Sequence, residues 1–328
     1  FITADALRLE DGHATFVLTV PGALSAQDSQ TLMARTQKIL ESIPGIKSVR
    51  GVTTTCAPSH SDSLGKPRPV AKHLIAVASG KGGVGKSTVA VNLALALAAR
   101  ELRVGILDAD IHGPSLPRLL GLCDFRPTRT EAGIEPARAF GLSAMSIGFM
   151  LPEDGPVVWR GPMVQSAILQ MLRETRWEYP DILVIDMPPG TGDAQIALAQ
   201  RAGLSGAVVV STPQDIALAD ARKGLEAFQK LNVPIVGIVE NMSTFVCPCC
   251  GTPTPVFGQG GAEREAAALS VPFLGSLPIT PELCTLSDAG TPLIALQPHS
   301  PAAQPFHALA DQVQSFCNRA TKNPSIPP

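Results

Sequence analysis

The apolar residues of this chain fall into short runs, separated by longer stretches with helical periodicity. Runs bounded by turn residues predict buried strands at 74–78, 104–107, 144–149, 182–185, 206–210, 235–239 and 273–277. Helical stretches include 89–99 and, near the end of the chain, 302–319. Because strands alternate with helices, we expect an α/β fold with a doubly wound, mostly parallel sheet and helices on both faces.

The first part of the chain has a different pattern. An alternating stretch at 14–20, a helical stretch at 26–40 and a further run at 46–53 predict strand, helix and strand. A segment rich in Pro and Ser then predicts a linker. The expected divisions are a small α+β domain at 1–56, a linker at 57–72, the main domain at 73–320 and a disordered tail at 321–328.

The overall composition suggests no strongly charged partner. The 328 residues carry a formal net charge of −2, which indicates neither a nucleic acid nor a membrane as partner. No apolar run approaches the roughly 18 residues that span a bilayer, and the acidic N-terminal segment lacks the pattern of a secretory signal. We therefore expect a cytoplasmic protein.

A glycine-rich loop joins the predicted strand at 74–78 to the predicted helix at 89–99, and it reads Gly-Lys-Gly-Gly-Val-Gly-Lys-Ser-Thr. Its glycines let backbone N–H groups surround phosphates, while Lys86 reaches the β- and γ-phosphates and Ser87 ligates Mg²⁺. Lys81 adds one more cation than a single site requires. The expected nucleotide-binding residues are Gly80, Gly82, Gly83, Val84, Gly85, Lys86, Ser87 and Thr88.

Polar residues follow three of the predicted strands, where ligands of such sheets bind. Asp108 and Asp110 suit a Mg²⁺-nucleotide, one through metal-bound water and one toward an attacking water, although they can also simply cap a turn. Asp186, followed by prolines and glycines, suits the Mg²⁺ shell ahead of a loop that senses the γ-phosphate. Asn241 suits either a purine edge or a turn.

Three of the seven cysteines lie together, in Cys247-Pro248-Cys249-Cys250. Two thiolates on one tight turn suit a metal vertex, the edge of an iron–sulfur cluster or a redox disulfide. A four-ligand site needs two more ligands, and the isolated Cys123 and Cys284 are expected to be small core residues. Two chains that meet at this loop would supply four thiolates, and Lys81 would then reach the nucleotide of the facing subunit.

These segments together resemble the deviant P-loop ATPases with a Lys-Gly-Gly-x-Gly-Lys core, and among them the Mrp/ApbC iron–sulfur cluster carriers. The resemblance covers most of 74–294 and includes Asp108–Ser115, Trp159–Met163, Asp186–Asp193 and Phe257–Gly261. Residues 1–56 resemble, more weakly, the small MIP18-like domain that precedes many bacterial members.

The resemblance implies a homodimer that hydrolyses ATP slowly, holds a [4Fe–4S] cluster through Cys247 and Cys250, and delivers it to apo iron–sulfur proteins. It implies that the catalytic residues are Lys81 (in trans), Lys86 and Asp110, that Ser87, Asp108 and Asp186 surround Mg²⁺, and that Asn241 binds adenine. One departure, Cys249, leaves Cys247-x-Cys249 open as the ligand pair.

Two other classes of protein remain open at this point. A spatial-organisation ATPase of the septum-site or plasmid-partition type shares the Lys81 loop but acts on membrane or DNA, and neither a basic helix nor a basic patch is evident. A zinc-stabilised nucleotide switch would use Cys247 and Cys250 only structurally.

Overall fold

The computed structural model describes residues 7–10, 13–21, 26–43, 46–56, 69–111, 113–150 and 161–322. The chain forms two compact units, Phe1–Arg68 and Pro69–Pro328. The second unit therefore begins before the expected boundary at 73. Ala71 belongs to its core, and the backbone N–H of Lys72 donates to the carbonyl of Pro180.

The first unit contains a three-stranded sheet in the order β1-β2-β3. Its elements are β1 (Leu7–Glu10), β2 (His13–Pro21), α1 (Ala26–Glu41) and β3 (Ser48–Cys56). Strands β1 and β2 are antiparallel, whereas β2 and β3 are parallel and are joined through α1. Ala14 and Val49 lie opposite each other in the core beneath Met33 and Leu40 of the helix.

The second unit alternates strands and helices. Its strands are β4 (His73–Ala78), β5 (Val104–Asp108), β6 (Arg129–Thr130), β7 (Gly133–Ile134), β8 (Ala137–Ala139), β9 (Leu142–Ser146), β10 (Ile182–Asp186), β11 (Gly206–Ser211), β12 (Ile235–Val246), β13 (Pro253–Thr254) and β14 (Phe273–Ile279). Its helices are α2 (Lys86–Ala98), α3 (Leu116–Leu119), α4 (Gly161–Glu174), α5 (Asp193–Arg201), α6 (Asp215–Lys230), α7 (Gly261–Leu269), α8 (Pro281–Asp288), α9 (Leu293–Leu296) and α10 (Gln304–Lys322).

The central sheet is mostly parallel, as predicted. Its parallel strands run in the order β14-β12-β11-β4-β10-β5-β9, while β8 and β13 pair antiparallel with β9 and β12. Asp186 lies opposite both Val77 and Asp108, and Asp108 lies opposite Ser146. The strands therefore end level, and the residues that follow them meet at one edge of the sheet.

Helices cover both faces of this sheet. The connection β4-α2-β5 crosses β10 in one direction, and the connection β10-α5-β11 crosses β4 in the other. Since such crossovers are right-handed, α2 and α5 lie on opposite faces. Helix α2 is apolar all round and lies between the sheet and α10, which explains why Val89, Leu93 and Leu97 are fully buried.

Two predicted strands differ from the observed ones. The strand predicted at 144–149 is Leu142–Ser146, followed by a 3₁₀-helix at Ile147–Met150. The Ser146 hydroxyl accepts the N–H of Gly148 and so turns the chain out of the sheet. The strand predicted at 235–239 continues to Val246, because β14 and then β13 pair with its second half.

The last helix extends into the segment expected as a tail. Helix α10 continues to Lys322, so residues 321 and 322 of the expected tail are helical, and the rest of that tail lies outside the described residues. Among the residues that the structure describes, no helix has the length and apolar character needed to cross a membrane.

The core position of α10 leads to a stability prediction. Phe306 is 1% exposed in the core, whereas Leu296 in α9 is 58% exposed. We expect Phe306→Ala to lower the free energy of unfolding by about 3–5 kcal/mol, because it leaves a cavity under the helix. Leu296→Ala is the control and should change it little. Urea unfolding followed by circular dichroism measures both, and similar losses would contradict this packing.

Candidate functional site

The glycine-rich loop lies between β4 and α2 at the carboxyl edge of the sheet. Gly83 and Gly85 have φ values of 81° and 78°, a left-handed conformation that favours glycine. A Cβ on Gly80 would lie 2.1 Å from the backbone carbonyl carbon of Asp220 in α6. The loop thus needs glycine for two reasons: backbone conformation and close approach.

A cavity of about 430 Å³ opens above this loop. Its lining includes Lys81, Gly83, Lys86, Ser87 and Asp110. Helix α2 begins here, and no side chain caps its first N–H groups. Free N–H groups and the positive end of a helix dipole attract anions, so the cavity suits the phosphates of a nucleotide.

Lys86 lies among carboxylates at the base of this cavity. It is 6% exposed, its ammonium donates to Asp186 Oδ1, and it stands 3.7 Å from Asp110 Oδ2. Asp110 Oδ1 is buried and has no partner among the described residues. An unpaired buried carboxylate oxygen is costly. Asp110 is therefore free to accept a hydrogen bond from bound water or a metal-bound water at the phosphates.

Asp186 is positioned by the loop that follows β10. The Met187 N–H donates to Val77 O and the Gly190 N–H donates to Ser79 O, which holds this loop against the end of β4. Burial raises the pKa of Asp186, and the hydrogen bonds from Lys86 and from the Ser87 hydroxyl oppose that shift. A carboxylate bonded to the Mg²⁺-ligating hydroxyl of a P-loop orients that ligand.

Asp108 has a different environment from the one expected for a Mg²⁺ ligand. Its Oδ1 accepts the Asp110 N–H (3.0 Å), and its Oδ2 accepts the Leu116 N–H (3.1 Å) and the Ser146 hydroxyl (2.9 Å). Complete burial and then the charge of Asp186 raise the pKa of Asp108 to about 7. Asp108 thus holds the loop that carries Asp110, and its predicted place in the Mg²⁺ shell stays a prediction.

A second cavity, of about 340 Å³, adjoins the first and shares Gly85, Thr88 and Leu119 with it. Asn241 and Met242 of β12 line it on one side, and α8 lines it on the other. This second cavity is called the base cavity below. Its size and position, next to the phosphate loop, suit a planar heterocycle.

Asn241 lies within β12 rather than in a turn, so the interpretation as turn chemistry is wrong. Its Nδ2 donates to Val84 O at 2.8 Å, and the residue is 6% exposed. Because a carbonyl accepts, the atom that faces Val84 must be the amide nitrogen. The Oδ1 atom of Asn241 therefore remains as an acceptor.

Helix α8 is a part of the site that the sequence pattern did not predict. Cys284 lines the base cavity and is exposed, as is Cys123, so the expectation that both are core residues is wrong. The sequence does carry a signal for this helix. Thr280 accepts the Leu283 N–H and Pro281 occupies the first turn, a typical helix start directly after a strand.

The cysteines lie on a hairpin at the far end of β12. Phe245 and Val246 pair with Thr254 and Pro253 of β13, which makes 247–252 the connecting loop. Within this loop, the Gly251 N–H donates to Cys247 O at 2.8 Å. The loop is called the cysteine hairpin below.

Cys247 and Cys250 interact with each other on the hairpin. Cys250 is exposed, and its sulfur lies 3.2 Å from the Thr252 hydroxyl. Hydrogen bonds from Thr252 first, and also from Cys247, lower the pKa of Cys250. Among the described residues, no three His, Cys, Asp or Glu side chains are grouped to hold a metal ion, so Cys249 does not complete a three-ligand set with this pair.

Lys81 lines the phosphate cavity beside Gly82. Its backbone carbonyl accepts from the Ser79 hydroxyl at 2.8 Å, which fixes the main chain. Within the part of the chain that the structure describes, its ammonium forms no ion pair. An unpaired cation at the mouth of the cavity is available to a further anionic group.

A phosphate loop between a parallel strand and a buried helix, with acidic residues ending the neighbouring strands, defines a P-loop NTPase. Residues 70–314 match the family profile described as ParA, the NUBPL iron-transfer P-loop NTPases. The chain belongs to this family.

Relatives of the chain include carriers of iron–sulfur clusters. It is 54% identical over 245 residues to the iron–sulfur cluster carrier protein of Haemophilus influenzae, covering 74% of this chain and 66% of that protein. It is 46% identical to the carrier protein of Pseudomonas fragi, covering 84% of this chain and 96% of that one. It is 48% identical to the mitochondrial iron–sulfur protein required for NADH dehydrogenase of Arabidopsis thaliana, covering 77% of this chain and 81% of that protein.

Solved structures agree with the fold. The nucleotide-binding protein of Archaeoglobus fulgidus, in complex with ADP, matches with a TM-score of 0.63 and 39% identity, covering 72% of this chain and 91% of that one. The cell division ATPase MinD of Pyrococcus furiosus matches with a TM-score of 0.55 and 22% identity, over 75% of this chain and 99% of that one, which shows a shared fold only.

The different environments of the two aspartates lead to a prediction. Asp108→Ala removes the partner of two buried N–H groups and one hydroxyl, so we expect it to lower the free energy of unfolding by about 3 kcal/mol or more. Asp110→Ala removes one oxygen that has no partner and one that stands 3.7 Å from Lys86, which keeps Asp186, so it should change the free energy of unfolding by less than about 1 kcal/mol. Urea unfolding measures both, and equal losses would mean that Asp108 does not hold the loop.

Proposed function

We propose that this chain is an ATP-dependent carrier that holds a [4Fe–4S] cluster between two copies and delivers it to apo iron–sulfur proteins. One observation carries the proposal: β12 joins the base cavity directly to the thiol pair Cys247 and Cys250. The relatives named iron–sulfur cluster carriers support it. The cluster is cargo here, and the nucleotide site controls it.

In this proposal the phosphates of ATP occupy the loop cavity. Lys86 exchanges its carboxylate partners for the β- and γ-phosphates, and the free N–H groups of α2 bind the remaining oxygens. Ser87, oriented by Asp186, suits Mg²⁺, which would neutralise charge on the phosphates. Asp110 is the group placed to orient an attacking water, since one of its oxygens lacks a partner.

Asn241 favours adenine over guanine in the base cavity. Its nitrogen is engaged with Val84 O, which leaves Oδ1 to accept a hydrogen bond. The exocyclic amine of adenine is a donor, whereas the corresponding oxygen of guanine is an acceptor that would face Oδ1 unpaired. This arrangement supports ATP rather than GTP as the nucleotide.

The cysteine hairpin supplies half of a ligand set. A four-cysteine cluster requires four thiolates, and this pair supplies two. A symmetric dimer presents the same hairpin twice, which completes the set. The same assembly brings the unpaired Lys81 to the partner's phosphates, in the manner of an arginine finger in trans.

The other two classes of protein have less support. A zinc site would need the same two thiol pairs as a cluster, and the relatives named iron–sulfur cluster carriers favour the cluster. Spatial-organisation ATPases share the fold, but a similarity of 22% identity does not support a shared function. The absence of nucleic-acid and membrane partners, and the cytoplasmic location, remain predictions from the sequence.

Cluster binding by the thiol pair can be measured directly. After anaerobic reconstitution with iron and sulfide, we expect the wild type to hold about two iron and two sulfide ions per chain, as one four-iron cluster per dimer requires. Cys247→Ala and Cys250→Ala should each abolish uptake because each leaves too few thiolates. The matched control Cys249→Ala should retain it. Visible absorption and iron and sulfide analysis provide the measurement.

Uptake that survives loss of Cys247 or Cys250 would rule out this ligand pair. Uptake that is lost with Cys249 instead would favour the pair Cys247-x-Cys249. Monomeric protein with a full cluster, measured by light scattering, would contradict the shared site.

The proposed role of Lys81 predicts an effect on hydrolysis rather than on binding. Lys81→Ala should slow ATP hydrolysis by about 10³-fold, the lower range for a finger residue, while ATP affinity changes by less than about threefold. Lys223→Ala on α6 is the control and should change neither. Steady-state phosphate release and equilibrium ATP binding measure the two quantities.

A mixing experiment separates action in trans from action in cis. Lys86→Ala has a defective loop but an intact Lys81, so mixing it with Lys81→Ala should restore hydrolysis at one of the two sites of the mixed dimer. Failure of the mixture to exceed either variant alone, although mixed dimers form, would show that Lys81 acts within its own subunit.

A further inference from the structure

Met242 lies where the base cavity meets the strand that leads to the cysteines. Its side chain lines the base cavity, and a Cβ placed on Gly85 would lie 3.5 Å from its Cε atom. It is therefore in reach of both a bound base and the phosphate loop. Methionine is flexible and polarisable, which suits contact with a planar ring.

The backbone of Met242 is strained. It lies inside β12, yet its φ is 56°, in the left-handed region that favours glycine. Nothing in a methionine side chain compensates locally for this conformation, as an asparagine can. Such residues persist only where their surroundings hold them, and they cluster at functional sites and switch regions.

The residues on both sides of Met242 are anchored. Asn241 is tied to Val84 O of the phosphate loop, and the Ser243 hydroxyl donates to Leu277 O of β14 at 3.1 Å. The register of β12 on β14 shifts between Asn241 and Phe245. Met242 thus occupies a bulge between two anchors, and bulges redirect the strand that follows them.

Strand β12 is held by partners before the bulge and leads to the cysteine hairpin after it. Glu240 is buried, and its carboxylate accepts the N–H groups of Gly260 and Ala262 at the start of α7. After the bulge, the strand ends at Val246 and the cysteine hairpin begins at Cys247. At 3.3 Å per residue the hairpin begins only about 16 Å beyond Met242, so a displacement at the bulge reaches it through a few residues of one strand.

We propose that Met242 is a positioning residue that couples the base cavity to the cysteine hairpin. A base that fills the cavity displaces the methionine side chain, and the strained bulge passes this displacement to Cys247 and Cys250. The inference rests on the proposed function, in which the cavity takes the base and the thiol pair takes the cluster. It adds the residue through which nucleotide binding changes the exposure of the thiols.

Cysteine-resolved alkylation tests this coupling in the full chain without a cluster, in a Cys249→Ala background. Iodoacetamide labelling is followed by mass spectrometry with and without Mg-ADP, which fills the base cavity without a γ-phosphate. Cys284 lines that cavity, so its protection reports binding. Cys247 and Cys250 report the hairpin.

We expect Mg-ADP to protect Cys284 and to change the labelling rate of Cys247 and Cys250 by at least about threefold. Met242→Leu keeps the side-chain volume and should keep this response. Met242→Ala and Met242→Gly should lose it while Cys284 stays protected. Glycine tolerates the left-handed backbone, so Met242→Gly removes the side chain without a folding penalty from strain.

The outcomes separate the coupling from the proposed function. Protection of Cys284 without any change at the hairpin of the wild type overturns the coupling and leaves the proposed function intact. A full hairpin response in Met242→Gly overturns the role of Met242. Lack of Cys284 protection at saturating Mg-ADP, with binding confirmed by calorimetry, overturns the base cavity and the coupling with it.

Discussion

The parallel pairing of β4, β10 and β5 is the constraint on which the site depends. Asp186 pairs in register with both Val77 and Asp108, so three strands end at one level. This alignment brings a phosphate loop and two acidic loops together, although they are far apart along the chain. A shift of one residue would turn Asp186 away from Lys86 toward the opposite face of the sheet.

The buried lysine and aspartates at this edge are largely paired before any nucleotide binds. Lys86 neutralises Asp186 and stands near Asp110, while Asp108 is held by two N–H groups and a hydroxyl. A buried cation without such partners would be very costly. In the proposed function, phosphates replace protein carboxylates around Lys86, and the incomplete bonding of Asp110 leaves a position for the reacting water.

Strand β12 unites the two sites of the proposed carrier. Its middle contacts the phosphate loop through Asn241, its bulge at Met242 lines the base cavity, and its end carries the cysteine hairpin. The sequence pattern ended this strand at 239, because Glu240 and Asn241 are polar and look like turn residues. Both are buried with partners from other elements, and no local pattern reveals those partners.

The sequence by itself determined the α/β class, the phosphate loop and the close cysteines, because these depend on periodicity and on residues adjacent in the chain. Only the tertiary structure decided where the side chains point. It turned Asp108 into the support of a loop, placed Cys284 in the base cavity rather than the core, and extended β12 to the hairpin. These features depend on contacts between residues distant in sequence, which strand register and helix packing establish.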